Sequence, residues 1–385
     1  MTTTKTQIGD RAAYVSQALA DATERLTGER PGLVQVGPWQ LLQLDAGESV
    51  LDAARAARAD AEGMPAPGRG YDHWHARPGL IKFVASRPLA AAWRATGDEG
   101  YAVAFRRLLE DYFASLTPPE WAGGGMRLSQ RIGRWAQFLP YFFDAEAFDD
   151  DFVQTVFDHI PAQLASILKT HKIETRGNIR LLETEGLFQV GLRLPMLDGA
   201  DEAIDRARWV YADTARHGVY ADGSYCEYDP NYLGVFQGAF YNVMLWRDAF
   251  PELDLPDVSQ TGAQVFDYAV ASKSPIGHPC GIQESLAPWI SAGDCGGILR
   301  RRRELRRLAG LDDVEPPLVE ACMDASQVFM RTGWERDAMF AAFDASRWGG
   351  AHSHLARNAV LLFNHGRGLL VDTGALTYAM GHKGH

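Results

Sequence analysis

The strongest constraint on how this chain folds is a change of hydrophobic period along its length. From Gln7 to about residue 270, apolar residues recur at three and four positions and are punctuated by Gly and Pro, a spacing that predicts amphipathic helices. Residues 80–94 form one such run, ending at Thr96-Gly97. Asp98 then opens a second run to Leu116, so the pair reads as a helical hairpin with a glycine stop and an aspartate start. Further runs cover 127–143, 149–171, 179–194, 201–217 and 232–250. Repeated helix pairs without intervening strands suggest an α/α toroid or solenoid rather than a small bundle.

Between about 271 and 326 the pattern breaks into Pro and Gly, as in Pro275-Ile276-Gly277 and Gly293-Asp294-Cys295-Gly296-Gly297. This reads as a connector with a helix. From Gln327 onward the texture becomes short runs of period two or continuous apolar character, at 328–333, 339–343, 358–363 and 369–371, which predict antiparallel strands. The expected organisation is therefore mainly α: a helical domain over 1–270, a connector over 271–326, and a partial antiparallel β-domain over 327–385.

Composition narrows the function classes. A formal net charge of -11 over 385 residues argues against binding nucleic acid, which usually demands a basic face. The one basic run, 300–307, reads first as a solvated helical face, with an anion-contacting patch as the second reading. Cys226, Cys280, Cys295 and Cys322 show no CxxC spacing and are scattered, which predicts reduced thiols and no zinc ribbon. No N-terminal apolar stretch follows Met1-Thr2-Thr3-Thr4-Lys5 and no run is long enough to span a membrane. The expectation is a cytoplasmic protein without a membrane partner.

The residues that look chemical cluster in three places. Trp348-Gly349-Gly350-Ala351-His352-Ser353-His354 puts two histidines at i and i+2 after a Gly-Gly hinge, and an apolar run leads from there to Val371-Asp372-Thr373-Gly374. On a strand, i and i+2 share a face, so both imidazoles would project into one cavity; a structural or solvated pair is the competing reading. Thr175-Arg176-Gly177-Asn178-Ile179-Arg180 leads a helical run containing Glu183 and Gly186, where Asn178 is suited to cap the helix. Asp222-Gly223-Ser224-Tyr225-Cys226-Glu227-Tyr228-Asp229-Pro230-Asn231-Tyr232 precedes the next long helical run.

Taken in order, these segments resemble the heparinase II/III family of polysaccharide lyases. The family runs "gGGH-x-H-x-D" into "GRPLLVDPG", matched by Gly349 to His354 and by Gly366 to Gly374, with Ala356 in place of the motif's aspartate. Its helix start "NH-x-x-x-E-x-x-G-L" is matched at Asn178, Glu183, Gly186 and Leu187, with Ile179 replacing the histidine. Its "DG-x-x-x-E-x-SP-x-Y" is matched at Asp222, Gly223, Glu227, Pro230 and Tyr232. There Asp229 replaces the serine, and Leu233 replaces a common histidine. The "TGDE-Y" turn and "Ri--W" helix correspond to Thr96 to Tyr101 and to Arg131 to Trp135.

The resemblance implies an α/α toroid followed by an antiparallel β-domain, the latter shortened here because family members continue through more strands. It also implies β-elimination at a uronic acid. A base removes the C5 proton and the C4 oxygen leaves, which requires masking of the substrate carboxylate by donors such as Asn and His. On this reading Asn178 engages the carboxylate, Tyr232 moves the proton and His352 assists, with Arg176, Arg180 and Glu227 as substrate contacts. His354 and Asp372 match two ligands of a structural zinc, and the remaining ligand is a histidine farther along than His385. No organic cofactor is implied, and the partner is a uronic-acid oligo- or polysaccharide. Two alternatives are a catalytically weak glycan-binding protein of the same fold and an α/α-toroid glycoside hydrolase. The hydrolase would need two carboxylic acids flanking a cleft, for which Glu227 and Asp229 are the candidates.

Overall fold

A computed structural model describes residues 4–63, 82–115, 125–171, 173, 177–283, 294–350, 352–353 and 358–372. The chain is mainly α, with helices through Ala271, one further helix at Gly296–Leu308, and a five-stranded antiparallel sheet after it. It forms two compact units that interleave in sequence. One comprises Met1–Ile173, Leu182–Val210 and Asp248–Asp254; the other comprises Glu174–Leu181, Tyr211–Arg247 and Leu255–His385. The division expected at residues 270 and 326 follows the change of sequence texture, whereas packing groups several helical segments with the sheet.

In the first unit the helices begin and end where the sequence chemistry asks. The Ser86–Thr96 helix stops at Gly97, whose φ of 67° is open to glycine without penalty and whose N–H donates to Trp93 O. Asp98 accepts from the Gly100 amide at 2.9 Å, starting the Gly100–Ser115 helix. The run over 149–171 divides into Asp150–Asp158 and Ile160–Thr170, because Pro161 carries no N–H to continue the first helix. These helices bury an aromatic core in which Phe83 meets Tyr112 and Trp135 edge-on at 5.5 and 5.2 Å.

One element is not helical as expected. Leu33–Val36 (β1) and Trp39–Leu42 (β2) form an antiparallel hairpin across Gly37-Pro38, and Trp39 packs on the first helix with its indole N–H donating to Asp10 at 2.8 Å. Four-residue strands are too short to show a period against a helical background.

The second unit carries the sheet, a meander of Val319–Cys322 (β3), Gln327–Arg331 (β4), Phe340–Asp344 (β5), Ala359–Asn364 (β6) and Arg367–Leu370 (β7). β3 lies inside the stretch expected as connector, since its four residues alternate too briefly to announce a strand. Register pairs Phe329 with Ala342 and Ala342 with Leu361, so alternate residues build one buried face, against which Tyr268 sets its ring edge-on to Phe329. The opposite face exposes Val319, Met330 and Val360.

A buried polar chain fixes the sheet to the loops that matter below. Tyr268 donates to Gln327, whose amide donates to Asp344 and to the Tyr228 carbonyl at 3.2 Å; Gln283 donates to Asp344 and to Ser346 at 2.8 Å. Buried amides and carboxylates satisfied in this way hold one geometry, because any other leaves a costly orphan. The basic run forms the Gly296–Leu308 helix, where Arg302 and Arg306 both bind Asp267 at 2.6 Å. Among the described residues, no helix is long and apolar enough to cross a membrane.

Candidate functional site

The 222–232 segment folds as a bridge, a turn and a helix entry. Val219 bridges to Tyr225, and Asp222 ties the corner by accepting from Ser224 N at 3.0 Å and Ala325 N at 3.0 Å. Tyr228 adopts a φ of 54°, uncommon outside glycine, and this turns the chain sharply before the next helix. Asp229 is fully buried, and its Oδ1 accepts from Asn231 N at 2.7 Å and Tyr232 N at 3.1 Å, immediately ahead of the Leu233–Ala249 helix. Asp229→Ala removes the acceptor of both amides. It is expected to cost about 1–3 kcal/mol, measured by denaturant unfolding.

Tyr232 stands half-exposed at that helix entry, and the imidazole of His352 lies flat on it. The ring centroids are 3.6 Å apart and the planes 14° from parallel. His352 is held there by its neighbour. The Ser353 hydroxyl accepts from the Gly349 and Gly350 amides at 2.6 and 2.9 Å and donates to Gly350 O, closing the Gly-Gly turn on itself. Gly349 in turn rests directly on the 226–228 turn, its Cα facing the Cys226 carbonyl and the Tyr228 ring. Tyr228 stacks on Tyr220 at 6.0 Å. Burial first, then the Tyr220 phenol, push its own phenol up to about 12, against the opposing influence of Arg347.

Asn178 begins the Asn178–Arg193 helix and is 2% exposed. The residue before it, Gly177, has its Cα against the Glu227 carboxylate, so the 177–178 corner and the 225–232 segment are neighbours within one unit. Glu227 is buried. Beside it, burial foremost and then the charges of Glu227 and Asp229 raise the Tyr225 phenol well above its ordinary value. Arg180 is also buried, its guanidinium donating to Asp213 and to Thr214 Oγ1, each at 2.7 Å. Burial would raise Asp213, but the bonds from His217 and Arg180 outweigh it and hold the carboxyl below the usual range.

The segments expected from the sequence thus meet as Tyr232 with His352 and as Gly177-Asn178 with Glu227. Three of the assigned residues, Asn178, Arg180 and Glu227, are buried, and Arg180 is engaged with Asp213 and Thr214. Ile179, in place of the family's histidine, is 42% exposed. Glu183, expected to pack, is buried in the first unit with its carboxylate 3.9 Å from His171 Nε2. Arg176 and His354 lie outside the described residues. Asp372 is half-buried, and among the described residues no group of three or more His, Cys, Asp or Glu is placed to hold a metal. Ser353 and Tyr228 were not singled out from the sequence. The only signals for them were a serine between two histidines and a tyrosine in a Glu-Tyr-Asp-Pro turn.

Comparison with known proteins bears on the fold. A family model described as "Heparinase II/III N-terminus" matches residues 79–252. A heparin-sulfate lyase of Bacteroides thetaiotaomicron is 23% identical over 167 residues, covering 42% of this chain and 24% of that protein. Among solved structures, heparinase III matches with a TM-score of 0.70 at 16% identity, over 94% of this chain and 63% of that one. The heparan sulfate lyase HepC of Pedobacter heparinus matches with a TM-score of 0.58 at 20% identity, over 95% and 62%. The chain therefore spans under two thirds of each of these relatives, and the structural likeness establishes the shared fold of a helical toroid followed by antiparallel sheet. The comparisons thus show a likeness to heparinase II/III proteins over residues 79–252 and the same fold over most of the chain.

Proposed function

We propose that this chain is a polysaccharide lyase that cleaves a glycosaminoglycan at a uronic acid by β-elimination. The observation that carries the reading is the stacked pair of Tyr232 and His352, both accessible, in the same compact unit as Asn178. The relatives are lyases of heparin and heparan sulfate, which supports an anionic glycan as the substrate class.

In the proposed reaction Tyr232 takes the C5 proton as its C–H bond breaks. The electron pair forms the C4–C5 double bond, and the C4 oxygen leaves with a proton returned to it. The C5 carbanion is accessible only as an enolate spread over the carboxyl group, so donors at that carboxyl matter most as charge develops. Asn178 supplies one such donor. A phenol has a reference pKa of about 10, so it serves as a base only where neighbours favour the phenolate; in this scheme that role is assigned to the imidazole stacked on its ring. Arg180 and Glu227 act as positioning residues in this scheme, the first anchoring the Asn178 helix to the 213–214 corner and the second packing behind Gly177. Glu227 and Asp229 do not suit a hydrolase, since both are buried and Asp229 is engaged with two backbone amides.

The test is a panel of uronate oligosaccharides, sulfated and unsulfated, followed by ultraviolet absorbance and mass for unsaturated ends. Unsaturated product supports the proposal, and saturated product overturns it in favour of hydrolysis. Binding without product overturns it in favour of the glycan-binding reading, which the exposed Ile179 at the histidine position favours. Within an active parent, Asn178→Ala is expected to lower kcat more than it raises KM, because the donor is worth most in the transition state. Steady-state kinetics alongside melting temperature separate this from loss of a helix cap, which would cost about 1 kcal/mol of stability and leave kcat alone.

A further inference from the structure

The second unit holds a cavity of about 370 Å³ whose lining includes neither Tyr232 nor His352. Its lining comes from the Leu233–Ala249, Ser259–Ala271 and Gly296–Leu308 helices and from the loop between the last two.

The charges around this cavity are unevenly matched. On the Gly296–Leu308 helix, Arg302 and Arg306 are both answered by Asp267. Arg301 turns to the cavity instead, lying over the Tyr241 ring at 4.1 Å and reaching Glu304 only at 3.7 Å. Opposite it, burial lowers the Lys273 ammonium below its ordinary value. The groups that act against this are the thiols of Cys295 and Cys280 rather than a carboxylate. Burial first, and then Lys273, also lower His278. Among the described lining residues the one carboxylate, Asp294, accepts from the Gly296 amide at 2.8 Å.

Neutral donors converge on the same space. Gln237 lines the cavity, and its buried Nε2 has no acceptor among the described residues. Gly297 and Ile298 belong to the first turn of their helix, whose amides have no acceptor within it. An ammonium, a guanidinium, a side-chain amide and a helix N-terminus therefore outnumber the acceptors that the described residues bring to this space, and the partner these groups complement is an oxyanion.

The rest of the wall suits a ring-sized body. Tyr241 and Phe266 offer aromatic surface, and at Gly238 the space in front of the backbone is open, with nothing within 4 Å of where a Cβ would stand. We propose that this cavity is an accessory site for one anionic sugar residue, held through its sulfate or carboxylate by Lys273, Arg301 and Gln237. The oxyanion follows from the cavity alone, and the choice of a sugar as its carrier rests on the lyase reading.

The test is titration calorimetry of the full chain with N-acetylglucosamine 6-sulfate, glucuronic acid, N-acetylglucosamine and inorganic sulfate. At least one of the two anionic sugars is expected to bind, and to bind more tightly than sulfate, with the neutral sugar silent. Arg301→Ala and Lys273→Met should each weaken that binding about tenfold or more, the loss of a charge-assisted contact. Gly238→Met tests the site without removing any contact of the fold. Its side chain enters open space from a helix that tolerates Met better than Gly, so melting temperature should hold or rise while binding is lost. Tyr232→Phe should bind the sugar like the parent, and this arm remains readable even if the parent forms no unsaturated product. Equal binding of neutral and anionic sugar, sulfate binding as tightly as both anionic sugars, no binding at all, survival of binding in Gly238→Met, or its loss in Tyr232→Phe would each overturn the proposal.

Discussion

Tyr232→Phe is expected to leave the fold intact and to lower formation of unsaturated product by roughly a hundredfold to ten-thousandfold, the range for loss of a general acid or base. The exchange keeps the ring, and therefore the stack on His352 at 3.6 Å and the packing of the helix entry at Leu233. What leaves is one oxygen. The backbone N–H of residue 232 still donates to Asp229, so the corner that aims the ring is unchanged. Melting temperature and product formation on an accepted uronate oligosaccharide, measured together, decide the matter. A variant that turns over like the parent would remove Tyr232 from the chemistry while leaving the fold untouched. His352→Ala makes a useful companion, because it removes the imidazole but keeps the phenol. If the phenol needs its neighbour to act as a base, both variants should be slow, and their effects should not multiply in the double mutant.

Much of this was legible in the chain because it depends on period and on punctuation. The Gly97 stop and Asp98 start can be read from two residues, and the structure uses both as caps. The 232–250 run is a helix from Leu233, with Tyr232 at its entry, where Asp229 satisfies the Asn231 and Tyr232 amides just ahead of it. The hairpin at 33–42 and the strand at 319–322 were not legible, since four residues of strand give too little alternation to outweigh a helical surround.

Side-chain roles were harder to read than elements. Arg180 has the residue type for gripping a carboxylate, and it does so with Asp213, a partner 33 positions away that no local pattern reveals. Glu227 was readable as special from its spacing, but its burial against Gly177 is a tertiary fact. Asp229, offered as a hydrolytic carboxylate, shows how the same residue type serves as a cap once the chain turns beneath it.

Gly349→Ala is the second large effect expected, and it reaches the site through the backbone. A Cβ at this position would stand 1.9 Å from the Cys226 carbonyl oxygen and 2.8 Å from the Tyr228 ring. Neither can give easily. Cys226 belongs to the turn that carries Glu227, and the Tyr228 carbonyl is bonded to Gln327 in the buried polar chain beneath it. The 347–353 loop must therefore lift, and His352 travels with it, because Ser353 binds the Gly349 and Gly350 amides into one small rigid turn. Overpacking of this kind costs about 1–3 kcal/mol, while a displacement of roughly 1 Å at a reacting group can cost about a hundredfold in rate. The expected result is a modest fall in melting temperature with turnover down by about that factor. Ser353→Ala should do less on both counts, since it loosens the turn without driving it off its support. If Gly349→Ala instead loses stability but keeps full turnover, then the stack of His352 on Tyr232 is packing and not machinery, and the role given to the imidazole falls with it.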